Sequence, residues 1–213
     1  MGQNTPIIQL IIEPCMKYII LSIILSLVLL QGACCVFLSQ TESREVDKFT
    51  ALEISGLAKV IITQANEQKV EINVTGMPIT DVVTKVDDET LVITTKGFHR
   101  GESVQVFVNY NQLNSISTSG SAELKGTNTL NTQQMLVTTN GSGDIKDLTI
   151  KADKLTVSIN GNGNANLDVE VEVIDIQMNG AGDLNIQGIA KSQQLISNSS
   201  RGTLSNANLA YSK

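Results

Sequence analysis

A column of carboxylate and amide side chains recurs through the second half of the chain and offers oxygen atoms that could ligate a metal ion. Its members lie about 20 residues apart: Glu123, Asp144, Asn164, Asp183 and Thr203. In calcium-binding repeats built on Gly-Gly-x-Gly-x-Asp, a much shorter period brings Asp carboxylates from successive turns onto one ion. Calcium takes six to eight oxygen ligands, and this column has two adjacent acids at best. The spacing therefore favours a structural role at the corners of a repeat, and we predict no metal and no cofactor.

Four acidic residues alternate along one later segment and carry the carboxylates that a carbohydrate-active enzyme would need. They are Asp168, Glu170, Glu172 and Asp175. Glycoside hydrolysis requires two carboxyl groups that face each other across the scissile bond, whereas alternation places these four on the outer face of one strand. A solvated acidic edge is the ordinary result of this pattern, and an edge that binds an ion or a partner is the alternative. We predict no catalytic residues.

Two further patterns are chemically weak. His99 is the only histidine, and it lies in a glycine-flanked loop, where an exposed turn residue is expected. The Gly-x-Gly phrases resemble phosphate-binding loops, but no helical sequence follows any of them. Without a helix N-terminus there is no ready site for an anion.

The acids and glycines belong to a phrase of six residues that returns five times between residues 114 and 209. The apolar residue that closes each copy is Leu124, Ile145, Ala165, Leu184 or Leu204, so the steps are 21, 20, 19 and 20. Before each phrase, apolar and polar residues alternate, which is typical of a half-buried strand. A repeat this short cannot bury its own apolar face and must stack on its neighbours.

We therefore predict an all-β fold, a single-stranded parallel β-helix (β-solenoid), right-handed by the crossover rule. A β-sandwich is the alternative, because turn signals recur at short intervals there as well. In the solenoid each apolar residue lies on its counterpart one coil away, and Asn140, Asn160 and Asn179 form an amide column beside it. The glycines are expected to turn the chain through positive φ.

Residues 49–111 are less regular and are predicted to form a strand meander that caps the stack. Strand-like runs cover 51–54, 58–63, 69–74, 91–95 and 104–110. Gly56 lies in a degenerate copy of the phrase, 64 residues before Gly120, which is close to three periods. The predicted domains are thus a leader (1–35), a polar tether (36–48) and a β-helical domain (49–213).

The leader predicts export. Met16 and Lys17 precede an uncharged run over 18–30, and Gly32 and Ala33 precede Cys34. This arrangement is that of a signal peptide that starts at Met16, with residues 1–15 upstream of the true start. Residues 31–34 are similar to a lipobox, which makes Cys34 the predicted lipidation site. The alternatives are an uncleaved anchor over 18–38, which is long enough to span a bilayer, and cleavage with release.

Composition narrows the classes of partner. The chain has 15 basic and 21 acidic residues, a net charge of −6, so binding of nucleic acid is not expected. All three cysteines (15, 34 and 35) lie in the leader, which leaves the rest of the chain without disulfide or thiol chemistry.

Several phrases together resemble the putative auto-transporter adhesin, head GIN domain family. They are Phe-Thr-Ala-Leu-Glu-Ile-Ser-Gly (49–56), Val-Ile-Ile-Thr-Gln (60–64), Leu-Val-Ile-Thr-Thr (91–95), Val-Gln-Val-Phe-Val (104–108) and the Gly-Ser-Gly-Asp and Gly-Ala-Gly-Asp phrases. The resemblance covers about residues 49–209. It implies a β-helical domain on secreted or lipoprotein-like envelope proteins, often of Bacteroidota, and it supplies no catalytic residues.

The main functional hypothesis is a non-enzymatic cell-envelope lipoprotein, an outer-membrane adhesin or binding module anchored through Cys34. Its polar faces would bind a glycan or an envelope or host protein through repeated weak contacts. A structural or sensory periplasmic module that binds another envelope protein is the first alternative, and a carbohydrate-active β-helix enzyme is the second.

Overall fold

The computed structural model describes residues 39–97, 101–198 and 201–211. A single turn of 3-10 helix (Ile79–Asp81) accompanies fifteen strands in this part of the chain. The strands are β1 (Gln40–Arg44), β2 (Ala51–Ser55), β3 (Lys59–Gln64), β4 (Lys69–Thr75), β5 (Val82–Asp87), β6 (Thr90–Thr95), β7 (Ser103–Tyr110), β8 (Ser115–Thr118), β9 (Glu123–Gly126), β10 (Leu130–Asn131), β11 (Gln134–Thr139), β12 (Asp144–Ile159), β13 (Ala165–Met178), β14 (Leu184–Ser197) and β15 (Leu204–Tyr211).

The strands form the predicted β-solenoid, with two long faces. The first face holds β5, β6, β2, β8, β11 and the C-terminal halves of β12, β13 and β14, and the second holds the remaining long strands. β12, β13 and β14 each bend at a corner, so one continuous strand serves two coils. From β8 onward all pairing is parallel and connects each coil to the next.

The predicted column of apolar residues is confirmed. Leu124 pairs with Ile145, Ile145 with Ala165, Ala165 with Leu184, and Leu184 with Leu204. All but Leu204 in the last coil are fully buried, because each is covered by a counterpart on both sides. The repeat spacing therefore reports coil stacking and not the turns of a β-sandwich.

The glycine corners differ from the prediction in their physical cause. In the stacked glycine column only Gly56 and Gly120 have positive φ, at 90° and 68°. At Gly161 the backbone is ordinary, but a Cβ atom would lie 2.1 Å from the carbonyl oxygen of Gly141 in the neighbouring coil. Most of these glycines are therefore required because two backbones approach too closely for any side chain, not because of their φ angle.

The irregular N-terminal part is a cap with an unexpected path. Val60 of β3 pairs directly with Leu124 of β9, although 64 residues separate them. Between these two strands the chain runs away from the stack, returns along β4 and β5 in the opposite direction, and adds β6 and β7. The near-match to three periods thus corresponds to neighbouring coils and not to coils three steps apart.

Residues 40–44 correct the prediction of a polar tether over 36–48. They form β1, which pairs antiparallel with β4 over five residue pairs. The Arg44 guanidinium donates hydrogen bonds to the carbonyl oxygen of Val82 at 2.7 Å and to Thr84 Oγ1 at 3.0 Å. An edge strand needs backbone pairing more than an apolar face, so its polar sequence carried no strand signal.

The core between the two faces is a stack of aliphatic side chains with two polar exceptions. Thr118 and Thr139 are fully buried, pair with each other across β8 and β11, and point inward. Neither hydroxyl has a hydrogen-bond partner among the described residues. A buried polar group without a partner loses its hydration energy and gains nothing in return.

Replacing Thr139 by Val is therefore expected to stabilise the protein. The side chains have the same shape, so the change removes the unsatisfied hydroxyl and leaves no cavity, for a gain of about 1 kcal/mol in the free energy of unfolding. Urea unfolding of Thr139→Val beside wild type measures the gain. Thr138→Val, at the outward-facing neighbour, is the control and should not reproduce it. A loss of stability in Thr139→Val would show that the hydroxyl is satisfied in solution.

Candidate functional site

An asparagine ladder runs along the corner of the stack. The Nδ2 atom of Asn160 donates to Asn140 Oδ1 at 3.1 Å, and Asn179 Nδ2 donates to Asn160 Oδ1 at 3.0 Å. Asn198 extends the ladder at 3.2 Å. The column predicted from Asn140, Asn160 and Asn179 is confirmed, and Asn198 was missed because the last phrase was aligned one residue later. These amides satisfy one another and hold the coils in register.

The column considered for calcium is a second ladder of the same kind. Asp144 Oδ1 accepts a hydrogen bond from the backbone N–H of Asn164 at 2.9 Å. Asp183 Oδ1 accepts from the backbone N–H and the hydroxyl of Thr203, at 2.9 and 2.6 Å. The hydroxyl and the backbone N–H of Thr203 lower the pKa of the Asp183 carboxyl. These carboxylates therefore link one coil to the next, and the described residues contain no cluster suited to a metal ion.

The four acids proposed as an active or binding edge separate into two groups. Glu170, Glu172 and Asp175 each form an ion pair with a lysine of an adjacent coil, and the lysines are Lys151, Lys191 and Lys154 respectively. The corner of β13 also lies within this segment, so Asp175 is on the first face and Asp168 on the second. The carboxylates do not converge on one point, and three of the four are neutralised.

Asp168 is the exception and lies in a polar groove. The groove has a volume of about 450 Å³ and is lined by Asp147, Thr149, Asn166, Leu167, Asp168, Asn185 and Gln187. Thr149, Asp168 and Gln187 form one column across three coils, and Asn166 and Asn185 form a second. These five side chains make no hydrogen bond or ion pair with other described residues.

A bulge in β12 shapes this groove. The register between β12 and β13 shifts between Ile145 and Leu148, and Asp147 has a φ angle of 49°. The extra residue bends the strand outward, and Lys125 Nζ holds the Asp147 carboxylate at 3.0 Å. The sequence contains a signal for the bulge: the apolar alternation of β12 is broken at Lys146 and Asp147. Asn166, Asn185 and Gln187 were not predicted as site residues, because polar residues at outward positions look alike in sequence.

Glu123 anchors a charge network beside the groove. Its carboxylate lies 2.8 Å from Lys146 Nζ and 3.3 Å from Lys59 Nζ. The hydrogen bond from Lys146 lowers the pKa of the Glu123 carboxyl, and the one from Lys59 acts in the same direction. The network ties together three coils that are far apart in sequence.

Glu123→Gln is expected to weaken the loss of stability in acid. A carboxyl group whose pKa is lower in the folded state stabilises the protein above its unfolded pKa, and that contribution disappears as the pH falls through the folded pKa. The partly exposed lysines and salt screening keep the effect small. Urea midpoints at pH 7 and pH 3 measure it. Glu71→Gln, whose lysine partner is at 3.9 Å, is the control, and an equal change in both variants would contradict the assignment.

Two residues singled out in the sequence lie outside the described residues: Cys34, the predicted lipidation site, and His99. Within the described ranges, no helix has the length and apolar character needed to cross a membrane.

Comparisons with known proteins agree on the family and the fold. The family model described as "Putative auto-transporter adhesin, head GIN domain" matches residues 48–205. A putative adhesin from Parabacteroides distasonis is similar in structure, with a TM-score of 0.75 and 21% identity over 83% of this chain and 76% of its own. A putative lipid binding protein from the same species has a TM-score of 0.68 and 15% identity, over 80% and 74% of the two chains.

A third structure extends the same result. A putative adhesin from Bacteroides fragilis has a TM-score of 0.52 and 16% identity, over 79% of this chain and 97% of its own. At these identities the structures show a shared fold. No curated protein matches the sequence.

Proposed function

The chain belongs to the putative auto-transporter adhesin, head GIN domain family, and from this membership we propose that it is a non-enzymatic binding protein of the cell envelope. The proposed ligand is a glycan of the envelope or of a host, and it binds in the polar groove on the second face. The observation that carries the proposal is the set of outward amide, hydroxyl and carboxylate groups there that no other described side chain satisfies.

The groove suits a carbohydrate chain better than a charged or apolar ligand. Asn166, Asn185 and Gln187 each offer both a donor and an acceptor, and Asp168 accepts only, which matches the mixed donors and acceptors of sugar hydroxyls. The columns repeat at the strand spacing of about 4.8 Å, so a linear ligand that crosses the strands meets similar groups at each coil. Each contact is weak, and affinity comes from their number.

A glycan-array measurement tests this proposal. The purified protein is compared with the double variant Asp168→Ala/Asn185→Ala, which removes two groove contacts. At about 1 kcal/mol for each lost hydrogen bond, binding should weaken about tenfold or more. The matched control is Thr156→Ala/Gln177→Ala, two outward positions on the opposite face, which should bind as wild type does.

The outcomes also distinguish the alternatives. Equal loss in both double variants, or no loss in either, removes the groove as the glycan site. Binding to envelope proteins but to no glycan would instead support a protein-interaction module. Shortening of a bound oligosaccharide that stops in Asp168→Asn would identify a carbohydrate-active enzyme.

We further propose that acylated Cys34 anchors the protein to the outer membrane. The small residues before Cys34 and the uncharged run before them support this. Labelling of cells with a fatty-acid probe tests it, because label should enter the wild-type chain and be absent from Cys34→Ser. Protease treatment of intact cells then reports whether the domain faces the surface, as an adhesin must, or the periplasm.

A further inference from the structure

The two ends of the solenoid are finished differently. At the N-terminal end the outermost strands are β1 and β5, and both carry charges, Glu42 and Arg44 in the first and Lys85 and Asp87 in the second. Arg44 reaches from β1 to the carbonyl oxygen of Val82 and so closes the end of the core. Charged side chains on an edge strand discourage pairing with another chain. This end is built to stay single.

At the C-terminal end, the last strand of the first face has none of this protection. Residues 192–196 of β14, here named the C-terminal edge, pair with β13 on one side and with no strand on the other side within the described part of the chain. Their sequence is Ser-Gln-Gln-Leu-Ile, without charge or proline. Leu195 is 47% exposed and Ile196 is 49% exposed. β15, on the second face, is less suited to pairing because a bulge interrupts its register.

Side chains already close the core behind the C-terminal edge. Gln193 lies in the column of Ile174 and points inward, where its Oε1 atom accepts a hydrogen bond from Asn206 Nδ2 at 3.0 Å and another from the Tyr211 hydroxyl. The interior therefore needs no further coil. What remains open is the backbone of the edge, whose N–H and C=O groups can extend a sheet.

We propose that the C-terminal edge pairs with the same edge of a second copy of this chain, as a two-fold dimer. A two-fold axis perpendicular to the sheet brings a strand onto its own copy in the antiparallel direction, and the surfaces are then complementary by identity. Charge agrees with this: between Leu184 and Tyr211 the only charged residues are Lys191 and Arg201. Lys191 is paired with Glu172, so two edges meet without repulsion.

Head-to-tail stacking is the competing arrangement and fits less well. It would place the neutral edge against the charged strands β1 and β5, and it would continue without limit, because the two surfaces differ. The two-fold arrangement buries the exposed Leu195 and Ile196 of both copies and leaves both capped ends pointing outward. It requires nothing of the polar groove, so it stands independently of the proposed glycan binding.

Cross-linking of the full chain in cells tests the dimer. Gln194→Cys places a thiol in the middle of the C-terminal edge, on the outward side. Treatment with a short bismaleimide should give a band at twice the mass of the chain. Leu136→Cys, at a 41% exposed outward position of β11 with a strand on each side, is the matched control. It and wild type report the background from the leader cysteines.

A second variant measures the association itself. Gln194→Lys/Ile196→Lys places like charges opposite each other across the two-fold axis, which disfavours pairing and leaves the fold of the single chain intact. Light scattering of the detergent-purified full chain should give a dimer for wild type and for Leu136→Lys, and a monomer for the double variant. A wild-type monomer, a Gln194→Cys band no stronger than background, or a cross-linked band of another mass would each overturn the proposal.

Discussion

Gly161→Ala is expected to abolish folding of the domain. The added Cβ atom would lie 2.1 Å from the carbonyl oxygen of Gly141 and 2.8 Å from its nitrogen, closer than any non-bonded carbon can approach. Both contacts are to backbone, so no side chain can move aside, and the two coils must separate. The coils share a continuous ladder, so we expect a loss of more than about 4 kcal/mol in the free energy of unfolding.

Circular dichroism and urea unfolding measure this loss. Gly126→Ala is the matched control: its Cβ atom would meet the Leu148 Cδ1 atom at 3.0 Å, and a side-chain methyl group can shift. A small effect for Gly126→Ala beside a large one for Gly161→Ala would identify the approach of two backbones as the cause. If Gly161→Ala remained as stable as wild type, the coils could not be stacked as closely as described.

Leu155→Ala is expected to destabilise the protein by about 2–5 kcal/mol. Leu155 is fully buried and lies between Met135 and Ile174 in the inward column of the first face. Truncation leaves a cavity that these neighbours cannot fill, because parallel strands on both sides fix their positions.

Leu136→Ala is the control for this second variant. Leu136 is the adjacent residue to Met135 in β11 and points to solvent, so the same chemical change there should cost less than about 0.5 kcal/mol. Urea unfolding of both variants gives the difference. Equal losses would mean that the alternation of inward and outward residues is assigned to the wrong faces.

The register of the repeats could be predicted from sequence, because a column of stacked residues imposes the same chemical demand at every coil. Leu124, Ile145 and Ala165 recur for that reason, and so do the corner asparagines. The path of the N-terminal cap could not be predicted, since pairing between Val60 and Leu124 leaves no periodic trace. β1 was missed for a related reason: its strand structure depends on β4 and on the contacts of Arg44.

The candidate site was only partly predictable. Asp168 was singled out as part of an acidic set, but the ion pairs that neutralise Glu170 and Glu172 depend on which lysines lie one coil away. The groove itself follows from a bulge at Asp147, a local departure from the repeat. A periodic sequence shows where its regular parts lie, and function is found where the period is broken.

The insertion that separates β3 from β9 has a consequence for the order of folding. Contacts from β8 onward join segments about 20 residues apart, whereas β3 must wait for β9 across 64 residues, and closing a longer loop costs more entropy. During export, β1 to β7 emerge first and can assemble with one another. Each later coil then adds to a finished surface, so the cap acts as the template on which the repetitive half grows.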